Sequence, residues 1–252
     1  MTLPPLWKIG REIGRAVAKV KVTVWRPSGL KTSIAYRGLS VLMNRAGMND
    51  KVLMAISRGI YEEPEILGLR HAIKPSDRVL EVGSGLGIIT ALAAQTATAA
   101  GRVLSFAANP EIIPDTAIFL AAHGIANVAL HHAVLVPHAA PGETRAFYLA
   151  TSVASSSLLG AGEAIAVPTR GISDGMAEFK PDVLICDIEG GEAELIPALD
   201  ASGLRAAVIE LHPDRLADDQ IAAVYAALAG HGLCPSANAL GGTVVMFERQ
   251  GA

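Results

Sequence analysis

From Ser76 to the C-terminus the chain repeats one pattern: a short apolar run, a glycine or polar turn, then a helical stretch. The first copy constrains the fold most. "VLEVGSGLG" (79–87) reads as a strand running into a glycine turn that opens the helix "IITALAAQTATAA". Glycines at 83, 85 and 87 permit positive φ and close approach of a ligand to the backbone, and the helix start beyond them offers free N–H groups. Further strands follow at "RVLSF", "NVALHHAVLV", "DVLICDI", "RAAVIELH" and "TVVMFER", with "TRAFYLA" (144–150) as an extra strand. Helices are expected at "PEIIPDTAIFLAAHG", "EAELIPALDASG" and "ADDQIAAVYAALAGHG", and a polar loop over 151–163. Short apolar strands alternating with helices imply an α/β fold, doubly wound and Rossmann-like, with a mostly parallel sheet covered on both faces.

Composition narrows the function. Apolar residues make up 51% of the chain, enough for a sizeable core, but aromatics only 4%. A base-stacking surface is therefore not expected, and no nucleic-acid partner is assigned. Two cysteines, Cys186 and Cys234, sit in apolar runs and supply no disulfide framework, so a reducing cytoplasm is the expected compartment. No signal peptide or bilayer-spanning run is expected.

Charge is unevenly spread. Residues 1–37 hold eight basic side chains against Glu12, a net +7, so the overall −3 leaves −10 for the remainder. Residues 6–19 have helical periodicity, with Leu6, Ile9, Ile13, Ala16 and Val17 on one face. Residues 33–73 read as short helices, the last with Ile66, Leu69 and Ile73 on its buried face. The expected organisation is a basic N-terminal helical extension (1–58) and an α/β domain (59–252). The basic arm suits a peripheral anionic membrane surface or self-association, including a homodimer.

The glycine turn does not satisfy the dinucleotide fingerprint, because position 88 is Ile rather than part of G-x-G-x-x-G. That disfavours a nicotinamide-dependent dehydrogenase. Glu81 at the strand end would repel a pyrophosphate but suits a cationic amino acid. An acidic strand end plus G-x-G-x-G resembles motif I of class I S-adenosylmethionine-dependent methyltransferases, which implies a seven-stranded sheet and cofactor contacts from Glu81, Gly83, Ser84, Gly85 and Gly87. The bland alternative is an ordinary tight βα turn.

Three later segments sharpen the resemblance. "VLSFAANPE" (103–111) is similar to the "AFEPNPE" of the FkbM-type methyltransferases, with Asn109 and Pro110 kept and Ala107 standing where the ribose-binding Glu would be. Each lost charge-assisted bond is worth roughly 1.5–3 kcal/mol. "DVLICDIEGGEAELIP" (182–197) resembles the family's "K-I-D-V-E-G-x-E", with Cys186 replacing the Lys. "IELHP" (209–213) resembles its "vE-x-H-P". The resemblance spans roughly 59–249.

It implies an O-methyltransferase that moves a methyl group from S-adenosylmethionine to a hydroxyl on a small or sugar-like acceptor. Asp187, Glu189 and His212 are then the catalytic candidates. His212 suits the general base, and Asp187 also faces the cofactor. Asn109 and His132 are cofactor-side candidates, as are Tyr61 and Glu62 at the family's "YE" position. Ser155 and Ser156 in the Ser-rich loop, with Glu192 and Glu210, are substrate-side candidates. Glu194 reads as an acidic residue favoured in a first helical turn and no more. No metal is assigned, although Asp187, Glu189 and His212 could bind a divalent ion in carboxylate–imidazole fashion. The competing view is a degenerate methyltransferase fold kept as a binding scaffold without turnover.

Overall fold

The computed structural model describes residues 14, 17–19, 32–149, 163–238 and 240–250. The chain divides into two compact units, 1–63 and 64–252. Of the expected amphipathic helix over 6–19, residues 14 and 17–19 are helical; the others lie outside the described residues, as do Ser155 and Ser156.

The N-terminal unit departs from the all-helical expectation. Ser33–Tyr36 (β1) and Leu39–Leu42 (β2) form an antiparallel hairpin pairing Tyr36 with Leu39. The two-residue connection, Arg37–Gly38, has φ of 50° and 88°. Such turns match the twist of the flanking strands. Ile34, Tyr36, Leu39 and Val41 are buried while Ala35, Ser40 and Leu42 are exposed, a period of two rather than 3.6. Asp50–Ser57 (α1) is helical, its N-terminus capped by the Asn49 carboxamide, which accepts from the Val52 amide at 2.9 Å.

The second unit carries a seven-stranded sheet in the order β11-β12-β10-β9-β3-β4-β5. Its strands are β3 (Arg78–Val82), β4 (Arg102–Ala107), β5 (Val128–His132), β9 (Val183–Cys186), β10 (Ala206–Glu210), β11 (Leu233–Pro235) and β12 (Val244–Arg249). Only β12 runs against its neighbours β10 and β11. The helices are α2 (Glu63–Ala72), α3 (Ile88–Ala97), α4 (Ile112–Ala122), α5 (Ile172–Phe179), α6 (Glu192–Leu195) and α7 (Asp218–Gly230). Ile66, Leu69 and Ile73 are buried, as their spacing predicts. Leu80, Val82, Leu104, Leu184, Ala207 and Ile209 fill the core with Phe106 and Phe247, so aliphatic side chains carry most of the packing.

Three details differ from the sequence expectation. The run 127–136 is two strands: β5 stays in the main sheet, and β6 (Val134–Val136) leaves it for a three-stranded sheet with β7 (Thr144–Leu149) and β8 (Glu163–Gly171). Pro168 masks β8 in the sequence. It sits at the last β7 pairing, Thr144↔Pro168, just before the first β6 pairing, Val134↔Thr169, where a missing N–H costs the ladder least. The stretch 192–203 is one short helix followed by two 3₁₀ turns, because Pro197 cannot continue the α-helical ladder. Among the described residues, no helix is long and apolar enough to cross a membrane.

Candidate functional site

The chain goes from β3 outward to β4 and β5, then returns to the other side of β3 to lay down β9 and β10. The carboxyl ends of β3 and β9 therefore flank the switch point of the sheet, where open α/β folds bind ligands. The glycine turn leaves β3 there and Asp187 leaves β9. They are in contact: a Cβ added to Gly83, whose φ is 97°, would lie 1.8 Å from the Asp187 carbonyl oxygen. No side chain fits at 83. The Gly83 and Ser84 amides both donate to the Phe106 carbonyl at 3.0 and 3.1 Å, tying the turn to β4. A Cβ on Gly87 would meet Thr116 of α4 at 2.5 Å. At Gly85 it would meet nothing within 4 Å among the described residues, so the crest of the turn is open to them. The Ser84 hydroxyl is buried and makes no hydrogen bond among the described residues. An open glycine crest beside a buried, unpaired hydroxyl suits a ligand that approaches the backbone closely.

Glu81 corrects an expectation. Its side chain is fully buried beneath the turn, not presented to a cationic ligand. The Thr90 hydroxyl donates to its carboxylate at 2.7 Å and the Ser105 hydroxyl donates to the same oxygen. Burial pushes its pKa up to about 7, against the pull of those two bonds. Glu81 thus ties β3, β4 and α3 together under the crevice.

Ala107 ends β4 in register with His132 and is buried. The Asn109 side chain accepts from the Glu111 amide at 2.9 Å, a turn bond that leads into α4. The His132 Nε2 lies 3.1 Å from the Ala108 carbonyl, and His131 stacks on Phe106 with ring centroids 5.4 Å apart. The β4 end thus offers no carboxylate at Ala107, where an acidic ribose anchor would be expected.

The acidic corner lies across the switch point. The Asp187 amide donates to the Val82 carbonyl at 3.0 Å, which holds the strand end against β3. The chain then reverses through Glu189 and Gly190, with φ of 54° and 103°. Glu192, the first residue of α6, is fully buried. Its Oε1 accepts from the Ile188 amide at 3.2 Å and lies 3.0 Å from His212 Nδ1. The other ring nitrogen, Nε2, is 3.6 Å from Asp187 Oδ1 and 3.8 Å from Glu189 Oε2. Three carboxylates thus surround one imidazole. Burial works against a proton on His212, but the Glu192 hydrogen bond and the charges of Glu192, Asp187 and Glu189 outweigh it and push the pKa up to about 9. Burial also raises the Glu189 carboxyl, against the pull of His212 and Arg215.

Arg215 is a residue that sequence reasoning missed. Its guanidinium donates to the Glu189 carbonyl at 3.2 Å and pairs with the Glu189 carboxylate at 2.9 Å, fixing the left-handed residue from both ends. A signal was available: an arginine three positions after a strand-end histidine, opposite a turn with surplus carboxylates. Thr90 and Ser105, the Glu81 partners, carried no such signal.

Glu210 accepts from the Thr243 hydroxyl at 2.8 Å, a bond between β10 and the approach to β12. Glu194 makes a two-pronged pair with Arg145 of β7 at 2.8 and 2.7 Å. Tyr61 and Glu62 belong to the N-terminal unit, where the Tyr61 carbonyl accepts from the Tyr36 hydroxyl. Cys186 is fully buried, and burial, then the charges of Glu192 and Asp187, push its thiol well up, so it packs as a small apolar residue.

A family model for protein-L-isoaspartate(D-aspartate) O-methyltransferase matches residues 42–135, less than half of the chain but all of the glycine-turn segment. No curated protein matches. Similar solved structures include precorrin-6y C5,15-methyltransferase from Geobacter metallireducens, 14% identical over 73% of this chain and 86% of that one, with a TM-score of 0.43. A SAM-dependent methyltransferase from Aquifex aeolicus is 13% identical over 73% and 87%, with a TM-score of 0.41. An rRNA methylase from Streptococcus thermophilus is 15% identical over 75% and 95%, with a TM-score of 0.39. The strand order, with one reversed strand and a glycine turn after β3, is that of the class I methyltransferase fold.

Proposed function

We propose that this chain is an S-adenosylmethionine-dependent O-methyltransferase of the FkbM type, acting on a hydroxyl of a small or sugar-like acceptor. The observation that carries the reading is the contact of Gly83 with Asp187 at the switch point, which joins the glycine turn to the acidic corner. When bound on the turn, S-adenosylmethionine would supply an electrophilic sulfonium methyl group for transfer to the acceptor oxygen. The residues of this chain do the rest. The open crest at Gly85 and the Ser84 hydroxyl receive the cofactor. Asp187, held against the glycine turn at the end of β9, would contact the cofactor bound there. Asp187 or Glu189 takes the proton that the acceptor hydroxyl loses, because His212, with a pKa of about 9, already carries its own near neutrality; Arg215 holds Glu189 in place. Positioning an oxygen in line with the methyl group supplies much of the rate in such a transfer.

Ala107 is the observation that favours a second reading, a scaffold without turnover, because the β4 end lacks an acid to hold the ribose. Substituting Ala107→Glu separates the two. On the enzyme reading the natural chain binds S-adenosylmethionine measurably, and the variant binds about ten- to a hundredfold tighter, the worth of one charge-assisted bond. On the scaffold reading only the variant binds.

A further inference from the structure

We propose that the outer face of α4, with the free edge of β5 beside it, is the surface through which two copies of this chain pair about a two-fold axis. The helix "IIPDTAIFLAA" (112–122) has Asp115 and Thr116 as its only polar side chains, and Thr116 is buried. Ile112, Phe119 and Leu120 are buried against the domain. The opposite side is equally apolar but bare: Pro114, Ala117, Ile118, Ala121 and Ala122 are exposed, Ile118 at 62%. A single exposed apolar residue is ordinary. A helix that is apolar on every side is normally covered on every side, and a contiguous bare patch marks a contact surface. The sheet has the same gap. α4 packs on β5, the outer strand at its end of the seven-stranded sheet. Among the described residues no strand pairs with the outer side of β5. Lysine or proline commonly guards such an edge. The strand at the other end, β11, has Pro235, whereas β5 has neither residue.

Charge selects a second copy as the occupant. Glu111, at the N-terminus of α4, is exposed. At the other end of the helix a groove of about 420 Å³ lies between the C-terminal ends of α3 and α4, with Thr98, Arg102, His123 and Asn127 in its wall. Arg102 is exposed there, and neither Arg102 nor Glu111 makes an ion pair among the described residues. One face thus carries an acid at one end, a guanidinium at the other and uncharged apolar residues between. Such a face is complementary to itself. Two copies laid antiparallel about a two-fold axis bring apolar centre onto apolar centre and Glu111 of each copy to Arg102 of the other. The same operation sets the two β5 edges antiparallel, so that they can continue the sheet. A standard interface takes about 800 Å² from each copy. The helix face alone falls short of that, and the β5 edge and the groove extend it. The charged ends lie at the rim, where such pairs set register and partner choice more than affinity. The apolar centre carries the binding.

The test is sedimentation equilibrium of the purified full chain from about 1 to about 100 μM. It needs no methyl donor or acceptor, so its result stands apart from the methyltransferase reading. The natural chain should show a monomer–dimer equilibrium in that range. Ile118→Asp changes an exposed side chain at the centre of the face and should weaken the dimer at least about tenfold. Glu111→Arg and Arg102→Glu should each weaken it about three- to tenfold, and the two reversals combined in one chain should restore it. That rescue is specific to the antiparallel arrangement, and it keeps the test decisive should Ile118→Asp fail to fold. A natural chain that stays monomeric throughout overturns the proposal. So does a dimer that folded Ile118→Asp leaves unchanged, or a pair of charge reversals whose losses add instead of cancelling.

Discussion

Replacing Glu81 with glutamine should stabilise the protein at alkaline pH and matter far less in acid. The reason is burial. In the native state the Glu81 carboxyl sits under the glycine turn with no exposure, and its pKa rises from the ordinary 4.5 to about 7. The unfolded chain gives up this proton near 4.5, whereas the native state keeps it until about 7. The native state therefore binds more protons across that window, and stability falls as pH rises through it. The stabilising share is fully present below 4.5 and gone above about 7. At ~1.4 kcal/mol per pH unit, the loss amounts to about 3 kcal/mol. Glutamine has no proton to lose, and its amide oxygen can still accept from Thr90 and Ser105. Denaturant unfolding near pH 4.5 and near pH 8 reads the effect directly. The stability difference between Glu81→Gln and the natural chain should shift by about 3 kcal/mol in favour of the variant between the two conditions. A difference that does not change with pH, or one that moves the other way, would refute the reasoning.

Two further substitutions probe the scaffold. Gly83→Ala places a Cβ against the Asp187 carbonyl at a positive φ and should cost at least ~3 kcal/mol in chemical unfolding, with loss of nucleoside binding; a change within ~0.5 kcal/mol would contradict the contact. Arg145→Ala removes the pair with Glu194, but the two side chains are 36% and 46% exposed, so the loss should stay within ~1 kcal/mol, checked by the same unfolding assay.

Much of this architecture was legible because periodicity and turn chemistry act locally. The turn at 83–87 could be read from its glycines, and the structure gives each a separate reason: Gly83 for Asp187, Gly87 for Thr116, Gly85 for an open crest. The acidic corner was legible as residues but not as an arrangement. That Glu192 holds Nδ1 of His212 while Glu194 turns outward to Arg145 depends on how α6 is seated, which a run of alternating acids does not encode. Glu81 was misread for a related reason. A strand-end acid can point above or below its turn, and only Thr90 and Ser105, from two other elements, decide which. The hairpin at 33–42 was missed because four-residue strands give a weak period-two signal beside the helices that follow. The Arg37–Gly38 turn was its clearest sign.

The central claim is that the switch point between β3 and β9 receives an adenosylmethionine-type ligand, not a dinucleotide. Calorimetric titration of the natural chain with S-adenosylhomocysteine, with NAD⁺ as the comparison ligand, addresses it most directly. The account predicts saturable one-to-one binding of S-adenosylhomocysteine and none of NAD⁺. Binding of NAD⁺ without S-adenosylhomocysteine would contradict it.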